Sequence, residues 1–236
     1  MYQLFFTPNW FNGLDIFFEG ISLIVALLIA AYSLRIYRFT KENRFAYFMV
    51  AFLMVAFGLA SKMFTSSVLY YHPLREVTAG VLSPIVGPGL EFADLFYRAG
   101  FFVEMFLMLA AWLLIFFISQ KSRDRLRKYH EVSQMALFIY LIFLISFVAN
   151  FQYVVFYLTS AVILGLTVLN YYKNYLNTDK NENAFRVMLS FIFILLSNVF
   201  FVFVYFYNQF YVLAEIFMLI GFLTLLGTYS KIKRRF

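Results

Sequence analysis

The chemistry available to this chain rests on Glu19, Lys62, Arg98, Glu104, Asn198 and Glu215, polar side chains set within long apolar runs. An ionisable group at the centre of a bilayer-spanning helix costs about 2.5–3.5 kcal/mol or more, so one that is retained needs a partner or a task. Glu19, Glu104 and Glu215 each stand about 15 residues ahead of a basic cluster that follows the same run. At a helical rise of ~1.5 Å per residue, all three reach one level, ~22 Å from the boundary those clusters mark. Lys62 and Arg98 approach that level from the same side, and Asp15, one helical turn before Glu19, shares its face of the first helix.

Three readings follow from this placement. In the first, the carboxylates line an outward-facing polar chamber that binds a proton, a cation or the amine of a small ligand. In the second, Lys62 and Arg98 neutralise the acids and lock the helices together without any ligand. The third is direct lipid exposure, since a Glu near the boundary can reach headgroups. Asn198, beside Ser197 and close to Ser190, is expected to hydrogen-bond between helices, an interaction worth ~0.6–2 kcal/mol.

Other chemistries lack their residues. The chain has no cysteine and two histidines, His72 and His130, so thiolate metal sites and cysteine nucleophiles are excluded. The three glutamates with His72 have no compact metal-ligand spacing. Neither a His-Glu-x-x-His helix nor a Gly-x-Ser-x-Gly elbow occurs, and no histidines on facing spans suit a haem. Residues 210–230 hold no lysine for a retinal Schiff base. The expectation is a protein that is not an enzyme, with no cofactor and no resident metal.

The elements that carry these residues are membrane spans. The chain is 64% hydrophobic and 13% charged, against ~45–50% and ~25% for soluble domains. Its apolar residues fall into seven runs, at about 14–36, 45–69, 96–119, 134–150, 153–173, 185–207 and 209–230. The runs are too long for barrel strands of ~10 residues and do not alternate apolar with polar, so the predicted fold is all-α, a single bundle of seven transmembrane helices. The N-terminus has neither a basic start nor a small-residue cleavage site and is not read as a removable signal peptide.

Sixteen of the nineteen Lys and Arg residues lie on one side of this arrangement, flanking the first, third and fifth breaks and the tail, and three on the other, Lys62, Arg75 and Arg98. Basic residues are retained on the cytoplasmic side, so the N-terminus is expected outside and the C-terminus in the cytoplasm, in the plasma or cytoplasmic membrane. The same rule accounts for the net charge of +7 without nucleic acid. The basic run from Lys121 to Lys128 would also suit anionic lipid headgroups or an acidic protein partner.

Glu104 to Leu114 can be laid over Glu215 to Leu225, and Ala46 to Phe52 over Phe185 to Phe191. These alignments suggest a 3+1+3 plan, two parallel three-helix repeats joined by the fourth span; chance alignment of Phe- and Leu-rich segments is the alternative. The connection at about 70–95 contains Pro73, Pro84 and Pro88 and is read as either an external lid or a surface connector.

The stretch from Ala31 to Phe52 is a helix ending in aromatic and basic residues, then a short basic turn, then Arg44, Phe45 and Ala46 opening the next helix. This hairpin resembles the seven-helix sensor domains that precede some histidine kinases, and small archaeal seven-helix membrane proteins. The resemblance implies ligand sensing passed to a cytoplasmic output domain, here supplied by a separate partner because the chain ends at Phe236. It carries no ligand-binding residue across. The leading expectation is therefore a seven-helix receptor or sensor-like protein that binds a small ligand or cation near Glu19, Glu104 and Glu215, with Lys62, Arg98 and Asn198 beside them. A small-solute transporter of 3+1+3 architecture is the second expectation, although the Pro-Gln pair of the similar sugar-permeating seven-helix family is missing. A non-catalytic membrane assembly subunit is the third.

Overall fold

A computed structural model describes residues 7–8, 10–11, 13–74, 76–78, 80, 92–120 and 153–233, excepting the side chains of 69–70, 92–99, 153 and 232–233. Six long helices make up the described structure: α1 (Leu14–Thr40), α2 (Asn43–Tyr70), α3 (Phe92–Ser119), α4 (Tyr153–Asn177), α5 (Glu182–Phe203) and α6 (Gln209–Lys233). The shortest has 22 residues, or ~33 Å at the helical rise, which exceeds the ~30 Å of bilayer hydrocarbon. All six are long and apolar enough to cross a membrane. The proposed fourth span at 134–150 lies outside the described residues.

Local chemistry sets the helix ends. Lys41 adopts the left-handed conformation, and its N–H donates to the Tyr37 carbonyl at 2.8 Å, stopping α1 before α2 begins. Between α4 and α5 the chain turns through Asp179 and Lys180, both at positive φ, and Asn181 then caps α5 by accepting from the Asn183 N–H at 2.9 Å. Three helix ends depart clearly from hydropathy. α5 stops at Phe203 rather than 207, because Tyr205, Phe206 and Tyr207 form an exposed aromatic turn that hydropathy alone cannot tell from a span. α1 and α4 continue to Thr40 and Asn177, since helical backbone bonds stay satisfied beyond the hydrocarbon.

Each helix packs on its neighbours in sequence, and α6 closes on α1, giving a ring of six. The outward faces are apolar, with Phe17, Ile24, Phe57, Phe64, Leu158 and Val162 all exposed. Small polar residues lie inside, among them Ser22, Ser33, Ser66, Ser160, Ser190 and Ser197. This inverts the pattern of a soluble helix and is that of a membrane protein, in which small residues let helices approach. At Gly221 of α6, a Cβ would lie 2.7 Å from Ile194 Cγ1 and 3.0 Å from the Ser190 carbonyl oxygen of α5, so only glycine permits that approach.

Helix direction also follows from contacts. Phe101 meets Phe156 early in α3 and α4, with ring centroids 6.0 Å apart, and near the other ends Asn170 Nδ2 donates to Ser119 Oγ at 3.0 Å. α3 and α4 are therefore parallel.

Candidate functional site

α1, α3, α4 and α6 all begin at one end of the ring, and the acidic residues face inward near it. Glu19 lies just over one turn into α1 and Glu215 early in α6, while Lys62 comes late in α2, which runs the opposite way. The Lys62 ammonium is consequently held between two helices. Its Nζ lies 2.8 Å from Glu19 Oε1 and donates to Glu215 Oε1 at 2.9 Å. These are lengths typical of charge-assisted contacts. The same nitrogen sits over the rings of Tyr211 and Phe201, 5.4 and 5.6 Å from their centroids.

Glu104 comes from α3 on the far side. Its side chain is buried, as are those of Glu19, Lys62 and Glu215, yet among the described residues no cation lies within 4.0 Å of it. It faces a small cavity of about 10 Å³ together with Lys62, Trp112, Tyr157, Asn198 and Glu215. That volume holds about one water molecule. Glu19 Oε2 is also buried without a hydrogen-bond partner among the described residues. The interior thus places three carboxyl groups around one ammonium in a space with almost no free solvent.

The remaining candidate residues have different positions. Asn198 is buried on the cavity wall, but its Nδ2 donates to the Ile194 carbonyl at 2.8 Å, so the hydrogen bond expected between helices is made within α5. A carboxamide four residues beyond a helical carbonyl can reach it without leaving its own helix, which spacing could not distinguish from a crossing bond. Asp15 is buried but committed elsewhere: its Oδ1 accepts from the N–H groups of Gly13 at 2.8 Å and Ile16 at 2.9 Å, at the start of α1. His72 is exposed, with Nδ1 3.3 Å from Glu76 Oε1. The Arg98 side chain and residues 75, 79 and 81–91 of the 70–95 connection lie outside the described residues.

Several residues around the site carry no signal in the sequence. Phe11, ahead of α1, is buried against Phe18 and Tyr211, with centroids 5.6 and 6.2 Å away. Tyr211 contacts Phe201 edge-on, and Phe201 stacks on Tyr157 at 4.4 Å. This aromatic chain borders the ion pairs. With 34 Phe and 18 Tyr in the sequence, nothing sets these members apart before they are folded.

A second cavity, about 350 Å³, opens at the opposite end among Arg44, Tyr171, Asn174, Asn181, Asn183 and Tyr229. Between the two cavities the interior is filled by Phe52, Val55, Ile115, Phe222 and Leu225, all fully buried. Comparison of the chain with protein-family models, curated proteins and solved structures gives no match.

Proposed function

We propose that this membrane protein is a seven-helix receptor or sensor-like protein that binds a small ligand or cation in an outward-facing polar chamber at Glu19, Lys62, Glu104 and Glu215. The observation that carries the reading is Glu104, a buried carboxyl with no ion pair among the described residues, facing the cavity beside the Lys62 bridge. A structural lock would need only matched charges, whereas this arrangement leaves room for further positive charge.

Two observations support the topology. Parallel α3 and α4 call for an odd number of crossings between them, and the apolar run at 134–150 supplies a segment of suitable composition. Arg35, Arg38, Lys41, Arg44, Lys173, Lys180, Arg186 and Lys231 all lie toward the end away from the acidic cluster, which supports reading that end as the cytoplasmic one. The ring also divides into α1–α3 and α4–α6, the arrangement a 3+1+3 repeat requires. On this reading ligand binding shifts the packing around Lys62, and the basic cytoplasmic face reports the shift to a protein partner or to anionic lipid, as the resemblance to kinase-linked sensor domains implies.

The test is binding without flux. Purified protein should gain thermal stability on addition of small amines or inorganic cations, with the gain abolished by Glu104→Gln and Glu215→Gln, and proteoliposomes should show no solute uptake. A gain that persists when all three glutamates are replaced by Gln would refute the chamber. Uptake abolished by the same substitutions would instead establish the transporter, which the cavities at opposite ends favour; transport would require the Phe52 and Phe222 layer to part.

A further inference from the structure

We propose that the Glu104 cavity takes up one bare positive charge, a proton or an alkali-metal cation, as a second counter-charge beside the Lys62 ammonium. The inference rests on the chamber reading and narrows its ligand class.

Charge, space and ligand geometry converge on it. Lys62 Nζ lies 2.8 Å from Glu19 Oε1 and 2.9 Å from Glu215 Oε1, so each of those two acids has the ammonium as a counter-charge. Glu104 faces the same space with no cation within 4.0 Å among the described residues, and Glu19 Oε2 has no hydrogen-bond partner among them. Among the described side chains one ammonium faces three carboxylates and cannot neutralise them all, and an uncompensated ion in a low-dielectric interior is strongly disfavoured. The missing charge must also be small, because the cavity of about 10 Å³ has space for one water. An organic ammonium exceeds that volume. Among the described residues no three His, Asp or Glu side chains are grouped to hold a metal ion. A proton needs only one carboxyl oxygen, and is therefore the favoured form, placed on Glu104.

The polar groups that share the cavity with Glu104 come from four other helices, Lys62 of α2, Tyr157 of α4, Asn198 of α5 and Glu215 of α6, and through Lys62 they adjoin Glu19 of α1 and Tyr211 of α6. Trp112, two turns along α3 from Glu104, lines the same cavity and supplies a reporter. The other tryptophan, Trp10, is exposed, so Trp10→Phe leaves Trp112 as the sole indole.

The experiment follows Trp112 emission of the full chain carrying Trp10→Phe in detergent. Three titrations are run at constant ionic strength: pH, sodium chloride replacing choline chloride, and methylammonium chloride. A transition with pH that disappears in Glu104→Gln identifies the proton; a saturable response to sodium that disappears in the same variant identifies the alkali cation. Should Glu104→Gln fail to fold, Glu104→Asp keeps the charge but shortens its reach, and is expected to shift the transition. A response confined to methylammonium overturns the bare-cation inference and leaves the chamber reading standing. A response to none of the three overturns both, and one unchanged in the Glu104 variants places the responding group elsewhere and overturns the inference.

Discussion

Lys62 and Glu215, 153 positions apart in the chain, are joined by a buried 2.9 Å hydrogen bond that ties α2 to α6 across the ring. Glu19 completes the tie from α1. Three helices are thereby pinned at one point, and that point can be tested by removing the cation.

Lys62→Met should lower stability by about 3–5 kcal/mol, because it leaves two buried carboxyl groups without their counter-charge. Adding Glu19→Gln and Glu215→Gln should recover part of the loss, since neutral amides no longer need it. Unfolding of the purified variants in mixed micelles measures both. A loss below about 1 kcal/mol, the range of solvent-exposed pairs, would show that water reaches Lys62 freely.

Gly221→Val should destabilise by about 1–3 kcal/mol through overpacking. Its branched side chain would enter space already held by Ile194 and the Ser190 carbonyl, forcing α5 and α6 apart. The same substitution at Gly227, where a Cβ meets nothing within 4 Å, is the control and should be far milder.

Asn198→Ala should cost only about 0.6 kcal/mol, the average for polar side-chain bonds within membrane bundles. Its amide returns to the Ile194 carbonyl of its own helix, so the α5 contacts lose no crossing bond. A loss beyond about 2 kcal/mol in the same unfolding assay would reveal an interhelical partner.

Orientation is accessible because the sequence contains no cysteine. Tyr205→Cys, in the exposed turn between α5 and α6, should react with a membrane-impermeant maleimide on intact cells. Glu182→Cys, exposed at the start of α5, should react only after permeabilisation. The opposite labelling pattern would invert the chain and move the acidic cluster to the cytoplasmic half.

What could be read along the chain was whatever depends on local composition. Apolar runs longer than a bilayer is thick specify helices, because backbone groups in hydrocarbon must bond within their own segment, and six described helices arise where such runs occur. The level of Glu19, Glu104 and Glu215 was readable too, since helical rise converts residue number into height. Height says nothing of azimuth. Which way each acid faces depends on how the helices rotate against one another, and this is set by close approaches such as Gly221 on Ser190 and by the ring closure of α6 on α1. Only the folded chain therefore showed that Lys62 spans Glu19 and Glu215 while Glu104 stands apart, that Asp15 turns to the amides of its own helix start, and that Phe11 and Tyr211 border the ion pairs. Distance along a chain bounds which groups can meet; packing selects the few that do.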